Sequence, residues 1–147
     1  IPYYLEACDP KRSLEENVHD LLLSRSGRLF EEPANILQSE LREVKIYSSI
    51  VHAIASGARE HNEIKTKALG SEAKISLSPY LDQLIAMRLV RMVRSIDANP
   101  KSRNNRYIIA DRLTDFWHRF VGPNAESISL GFGFDVWKRQ IAPHLSD

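Results

Sequence analysis

A mainly α-helical fold is predicted for this chain, with a winged helix-turn-helix of three helices and a β-hairpin at its centre. Three observations carry that expectation. Apolar residues recur at helical spacing up to the segment "SPYLDQLIAMRLV"; the spacing drops to strand period in "LVRMVRSI" and "RYIIAD"; and the polar run "DANPKSRNN" between those two supplies turn chemistry. The chain has 147 residues, 43% of them hydrophobic, which is enough to bury a real core.

Each element has its own signals. In "SLEENVHDLLLSRSG", Ser13 should cap a helix, with Glu16 three residues on completing a capping box. Leu14, Val18, Leu21 and Leu22 form its apolar stripe, and Gly27 marks the stop. The run from Phe30 to Gly57 starts helical at Pro33; Ile36, Leu37 and Leu41 make one stripe and Tyr47, Ile50, Val51 and Ile54 another. The phase shifts near Val44 to Ile46, which predicts two helices or a bend. "HNEIKTKALG" reads as a short helix capped by Asn62 and ended before Gly70. In "ISLSPYLDQLIAMRLV", Ser76 or Ser78 caps, Pro79 sits in the first turn, and Leu77, Leu81, Leu84 and Ile85 face inward.

Three helices followed by a hairpin, at about residues 34–109, is the order of a winged helix-turn-helix. From Asp111, helical spacing returns, and Leu113, Phe116, Trp117 and Phe120 form an aromatic stripe expected to strap the core. The end, "SISLGFGFDVWKRQIAPHLSD", predicts a turn at Gly131 to Gly133 and a short amphipathic helix. The expected organisation is therefore a helical segment at 1–33, the winged helix at 34–109, and a helical strap and linker at 110–147.

No run of 18 apolar residues occurs, so no membrane-spanning helix is expected. The single Cys8 cannot form an internal disulfide and fits a reducing cytoplasm. The opening "IPYYLEACDP" has neither an initiator Met nor a leader pattern and reads as a piece of a longer protein.

Net charge is only +1, yet residues 76–106 carry six Lys/Arg against two Asp/Glu. That concentration points to a polyanionic partner, double-stranded DNA being the expected one. The helix of that block offers Ser78, Gln83 and Arg88, and the wing offers Arg91, Arg94, Lys101, Arg103 and Arg106 for phosphate contacts. Gln83 suits an adenine edge. Asp82, unfavourable toward phosphates, and Pro79, which lacks a backbone donor, count against this reading. Its competitor is a solvated basic loop on a protein-contact module.

Other chemistries find little support. Asp111 and Asp115 share a helical face as paired carboxylates do, but the first reads better as an N-cap and the second as an acid at the positive end of the helix dipole. The histidines His19, His52, His61, His118 and His144 are scattered without metal-ligand spacing, and no G-x-S-x-G occurs. Lys65, Lys67 and Lys74 read as a solvated face. No catalytic residue and no metal site is expected.

The series "IPYYL", "LFEEP", "ELREVKIYSSIVHAIASG", "NEI", "SPYLDQLIAMRLV" and "YIIADRLTDFWHRFVGPN" resembles the C-terminal half of archaeal and bacterial ATPases of the AAA/STAND type, often labelled DEXX-box ATPases. The resemblance covers nearly the whole chain and is most specific in the last segment. There Asp115 precedes Phe116, and His118 stands where the family usually has an aromatic.

The resemblance implies a parent with a P-loop ATPase domain and ATP as its cofactor, residues 1–33 being the end of the ATPase lid. Pro2 aligns with the proline of a "GGxP" motif that contributes to the family's nucleotide pocket, without the glycines before it. No G-x-x-x-x-G-K-[ST] is present, so this chain itself should not hydrolyse ATP. Family members also tend to continue into a domain resembling restriction endonucleases, with a metal-binding carboxylate cluster, and this chain ends at Asp147 before one could form.

The function so implied is nucleotide-controlled DNA binding by the parent. The lid begun by Pro2 to Leu5 would pass its movement through the helices bearing Ile36 and Leu41. Partners are DNA and the parent's own ATPase domain, with self-association through an apolar face around Leu21 to Leu23. Alternatives are a protein-interaction module packing on that ATPase domain or another partner, and an ATPase coupled to a metal-dependent nuclease.

Overall fold

A computed structural model describes residues 7–40, 43–94 and 105–145. In chain order the described elements are α1 (Leu14–Leu22), α2 (Glu32–Glu40), α3 (Val44–Ala55), α4 (His61–Leu69), α5 (Ser78–Ala86), β1 (Val90–Arg94), β2 (Asn105–Ile109) and α6 (Arg112–Phe116). A π-helical turn (Trp117–Val121) and a 3₁₀ turn (Gly122–Asn124) lead into α7 (Ala125–Ser129). Then come α8 (Gly133–Val136), a second π turn (Trp137–Ile141) and α9 (Ala142–Leu145). The protein is mainly helical with one small two-stranded sheet, and no described helix is long and apolar enough to cross a membrane. Two compact units result, one within Ile36–Arg119 and the other from the described parts of Ile1–Asn35 and Phe120–Asp147.

The core of the 36–119 unit follows the expected stripes. Ile50, Val51 and Ile54 of α3, Ile64 of α4, and Leu77, Leu81 and Leu84 along α5 are all buried in one cluster with Leu89 and Val90. Burying each such side chain contributes roughly 1.5–3 kcal/mol. The phase shift before α3 is a real break: Glu43 holds a left-handed φ of 52°. Its carboxylate accepts a 2.7 Å hydrogen bond from the Tyr80 hydroxyl of α5, which fixes the entry of α3 against α5. In α2, Leu37 is buried while Ile36 stands exposed.

Helix α5 ends in a Schellman motif. The Leu89 N–H donates to the Leu84 carbonyl at 3.0 Å and the Arg88 N–H to that of Ile85 at 2.9 Å. The left-handed residue this motif requires is Arg88, φ 62°, where glycine is the usual choice. Leu89 then leads straight into β1.

The strands pair antiparallel with Val90 opposite Ile109, Met92 opposite Tyr107 and Arg94 opposite Asn105. The other edge of β2 is also engaged: the Tyr107 N–H donates to the Arg59 carbonyl at 2.8 Å, and Glu60 bridges Arg106. The linker between α3 and α4 thus lies along β2 and ties the helix pair to the hairpin. Arg59 secures that linker by donating to the carbonyls of Ile54 and Ala58.

Two expected caps differ. Glu60, not Asn62, is the N-cap of α4, and no side chain caps that helix. Leu77 is the N-cap of α5, so Ser78 is already helical and Pro79 lies in the first turn, where its missing N–H costs nothing. Gly70, φ 93°, ends α4 as expected.

In the other unit Ser13 does cap α1, accepting from the Glu16 N–H at 3.1 Å; Glu16 answers through the Ser13 hydroxyl, also 3.1 Å, rather than a backbone N–H. Asn17 fastens the approach by donating to the carbonyls of Asp9, Arg12 and Ser13. Leu14 is exposed, and Leu22 and Leu23 are buried. Of the apolar face expected around Leu21 to Leu23, Leu21 is half-buried. Helix α1 stops at Leu22, before Gly27, whose role is close approach: a Cβ there would collide with the Leu21 carbonyl. Gly133 opens α8 in the same way, flush against the Leu23 carbonyl. Asn124 and Gln140 exchange side-chain amide hydrogen bonds at 2.8 and 3.0 Å, linking the 3₁₀ turn to the second π turn.

Candidate nucleic-acid interface

Strand period decides where the basic side chains point. Val90, Met92 and Arg94 share one face of β1, and Arg91 and Val93 the other. The first face is turned to the core, since Val90 is buried and Tyr107 and Ile109 pack against the cluster. Arg91 lies opposite Ile108 and Val93 opposite Arg106, so Arg91 and Arg106 are diagonal neighbours on the outward face. Arg94, three residues from Arg91, projects from the other face. Of the wing arginines, Arg91 and Arg106 thus share a face that Arg94 does not.

Arg88, Arg91, Arg94 and Arg106 are all exposed, and none makes an ion pair or side-chain hydrogen bond with a described residue. Helix α5 adds an exposed face of Ser78, Pro79, Asp82, Gln83 and Ala86, opposite its buried Leu81 and Leu84. The Ser78 hydroxyl lies 3.5 Å from His61 Nε2 at the start of α4. Asp82 stands near Tyr107 and, after burial, is the second cause that raises the Tyr107 hydroxyl pKa. The α5 face and the hairpin are therefore neighbours. Pro2, Lys101 and Arg103 lie outside the described residues. Lys67 donates to the Ser56 carbonyl at 3.4 Å, near the C-terminal end of α3, which accounts for it without a phosphate.

The segment after β2 holds what the sequence hid. Asp111 is the N-cap of α6, its carboxylate accepting from the Thr114 N–H at 2.9 Å and the Thr114 hydroxyl at 2.8 Å. Asp115 is half-buried; burial raises its carboxyl pKa, and Arg59 and Arg119 partly offset this. Asp111 is thus committed to its helix. Among the described residues no group of three or more metal-ligating side chains forms.

The aromatic stripe is only partly as expected. Phe120 is buried and Leu113, Phe116 and Trp117 are half-buried, while Thr114 and His118 are also buried. A π turn inserts an extra residue per turn, so the 3.6-residue spacing assumed for 113, 116, 117 and 120 does not hold through it. His118 is left with a buried Nε2 that has no hydrogen-bond partner among the described residues, and its pKa is lowered to about 4, first by burial and then by His52. His52 donates from Nδ1 to the His118 carbonyl at 2.8 Å. No local pattern signals this pair, because residues 66 apart meet only through the packing of α6 on α3.

Over 136 residues the chain is 32% identical to an uncharacterized protein of Methanocaldococcus jannaschii, MJECL04. The match takes in 92% of this chain but spans only 30% of that relative's length. No family model matches the sequence, and no solved structure matches it.

Proposed function

We propose that residues 36–119 act as a winged-helix module that holds duplex DNA against the β1–β2 hairpin and the exposed face of α5, within a cytoplasmic parent ATPase of the AAA/STAND type. The supporting observation is the outward pair Arg91 and Arg106, exposed, diagonal across two strands and matched to no described carboxylate. Unneutralised guanidinium groups on a rigid ladder suit phosphate oxygens, and counterion release from the duplex supplies the affinity. Arg88 adds a third cation in a left-handed turn that glycine would occupy without strain. A strained residue kept at a surface turn is a reason to look for function there.

The order of three helices and a hairpin, with the α3–α4 linker laid along β2, favours the winged-helix reading over an arbitrary helical cluster. ATP in this reading belongs to the parent's P-loop domain. This chain has no phosphate-cradling motif, and the DNA contact requires none.

A protein-docking role is the second reading, favoured by the exposed Met92 and Val93 on the hairpin. The test is affinity of the full chain for a mixed-sequence duplex across a salt series. DNA contact through Arg88, Arg91 and Arg106 gives a log–log slope of about −3. Protein docking gives no binding even at low salt.

A further inference from the structure

Asp82 is the acidic side chain on the exposed face of α5, one turn from Ser78 and one from Ala86. It is exposed, near Tyr107 of the hairpin, and makes no ion pair or hydrogen bond with a described residue. A carboxylate beside a basic hairpin, yet neutralised by none of its described arginines, lowers attraction for phosphates. Its presence there calls for a contact that accepting oxygens alone can satisfy.

We propose that Asp82 is a specificity-determining residue that selects cytosine in the major groove, an inference that rests on the DNA-binding reading above. The chemistry is one of exclusion. Guanine and thymine show acceptors on their major-groove edges, and adenine sets an acceptor N7 beside its N6 donor. Guanine and thymine thus oppose a carboxylate outright, and adenine offers its donor only beside the repelling N7. Cytosine shows the N4 amino group, a donor that a carboxylate accepts from. Gln83, exposed beside Asp82, carries both donor and acceptor and suits an adjacent adenine. Serine and alanine one turn to either side keep the face low enough for base edges to approach. Arg91 and Arg106 would fix the register on the backbone while Asp82 and Gln83 read it.

The experiment is selection from a random duplex library at low salt with the full chain, followed by affinities for the selected duplex and its single-base replacements. Wild type, Asp82→Asn and the Arg91→Glu/Arg106→Glu double variant are compared. Expected for wild type is an enriched cytosine whose replacement weakens binding about tenfold. Asp82→Asn should lose that preference alone and keep the salt dependence of wild type. The inference is overturned if wild type binds duplexes without enriching cytosine, or if Asp82→Asn enriches the same site. It is equally overturned if Asp82→Asn tightens binding to every duplex alike, since Asp82 is then only a repelling charge. Failure of wild type to bind any duplex removes the DNA-binding reading itself, a result distinct from these three.

Discussion

His52 donates from Nδ1 to the main-chain carbonyl of His118 at 2.8 Å, while the His118 ring, 4% exposed, keeps a buried Nε2 with no hydrogen-bond partner among the described residues. One imidazole thus supports the π turn from α3, and the other is enclosed by it uncharged. What bears on the His118 charge is first its burial and then His52 from α3.

Stability should therefore fall in mild acid. The folded pKa of His118 is about 4 against 6.5 for the free side chain, so its neutral form is compatible with the fold above pH 6.5. Between pH 6.5 and 4 the unfolded chain takes up the proton first, and about 3 kcal/mol is lost across that window. Asp115, whose carboxyl pKa is raised, acts in the opposite sense and gains the fold some stability as acid is added. His118→Phe should raise the urea midpoint at pH 5 more than at pH 7.5. Parallel pH curves for the two proteins would show that His118 is not the titrating group.

Arg88→Gly should separate stability from binding. Glycine occupies the left-handed position of the Schellman turn without a Cβ clash, so the fold gains about 0.5–1 kcal/mol. Losing the guanidinium should lower duplex affinity and reduce the salt slope by about 1. An unchanged slope would place Arg88 outside the interface.

Asp111 can be tested as a cap. Asp111→Ala removes the acceptor for the Thr114 N–H and leaves a buried hydroxyl unsatisfied, costing about 1–3 kcal/mol by urea denaturation. Asp111→Asn, which keeps an accepting oxygen, should cost well under half of that.

Gly133→Ala drives a Cβ into the Leu23 carbonyl oxygen, so the α1–α8 contact must open. A loss of about 2 kcal/mol or more is expected, visible in the near-ultraviolet signal of the buried Trp137. Gly70→Ala, where nothing lies within 4 Å, should cost only the strain of its positive φ.

Local chemistry made much of the fold legible. Leu77, Leu81 and Leu84 announced the buried side of α5 by spacing alone, and the phase shift before Tyr47 marked the break that Glu43 makes by going left-handed. The period change after Met87 marked the hairpin. What the sequence hid depends on tertiary partners. The extra residue of the π turn leaves no trace in residue type, so His118 read as an incidental ring when it is the buried one. The Arg59–Glu60 contact with β2 joins residues nearly fifty positions apart, and no local pattern encodes it. For the candidate interface, residue identity showed the cations, but only the strand register showed that Arg91 pairs with Arg106 and not with Arg94.

The most direct measurement is the salt-dependent duplex affinity of Arg91→Glu/Arg106→Glu beside wild type, with folding checked by circular dichroism. The double variant, folded as wild type, should lose measurable binding at salt concentrations where wild type binds. If it binds duplex DNA as tightly as wild type, with the same slope, Arg91 and Arg106 are not the DNA contact.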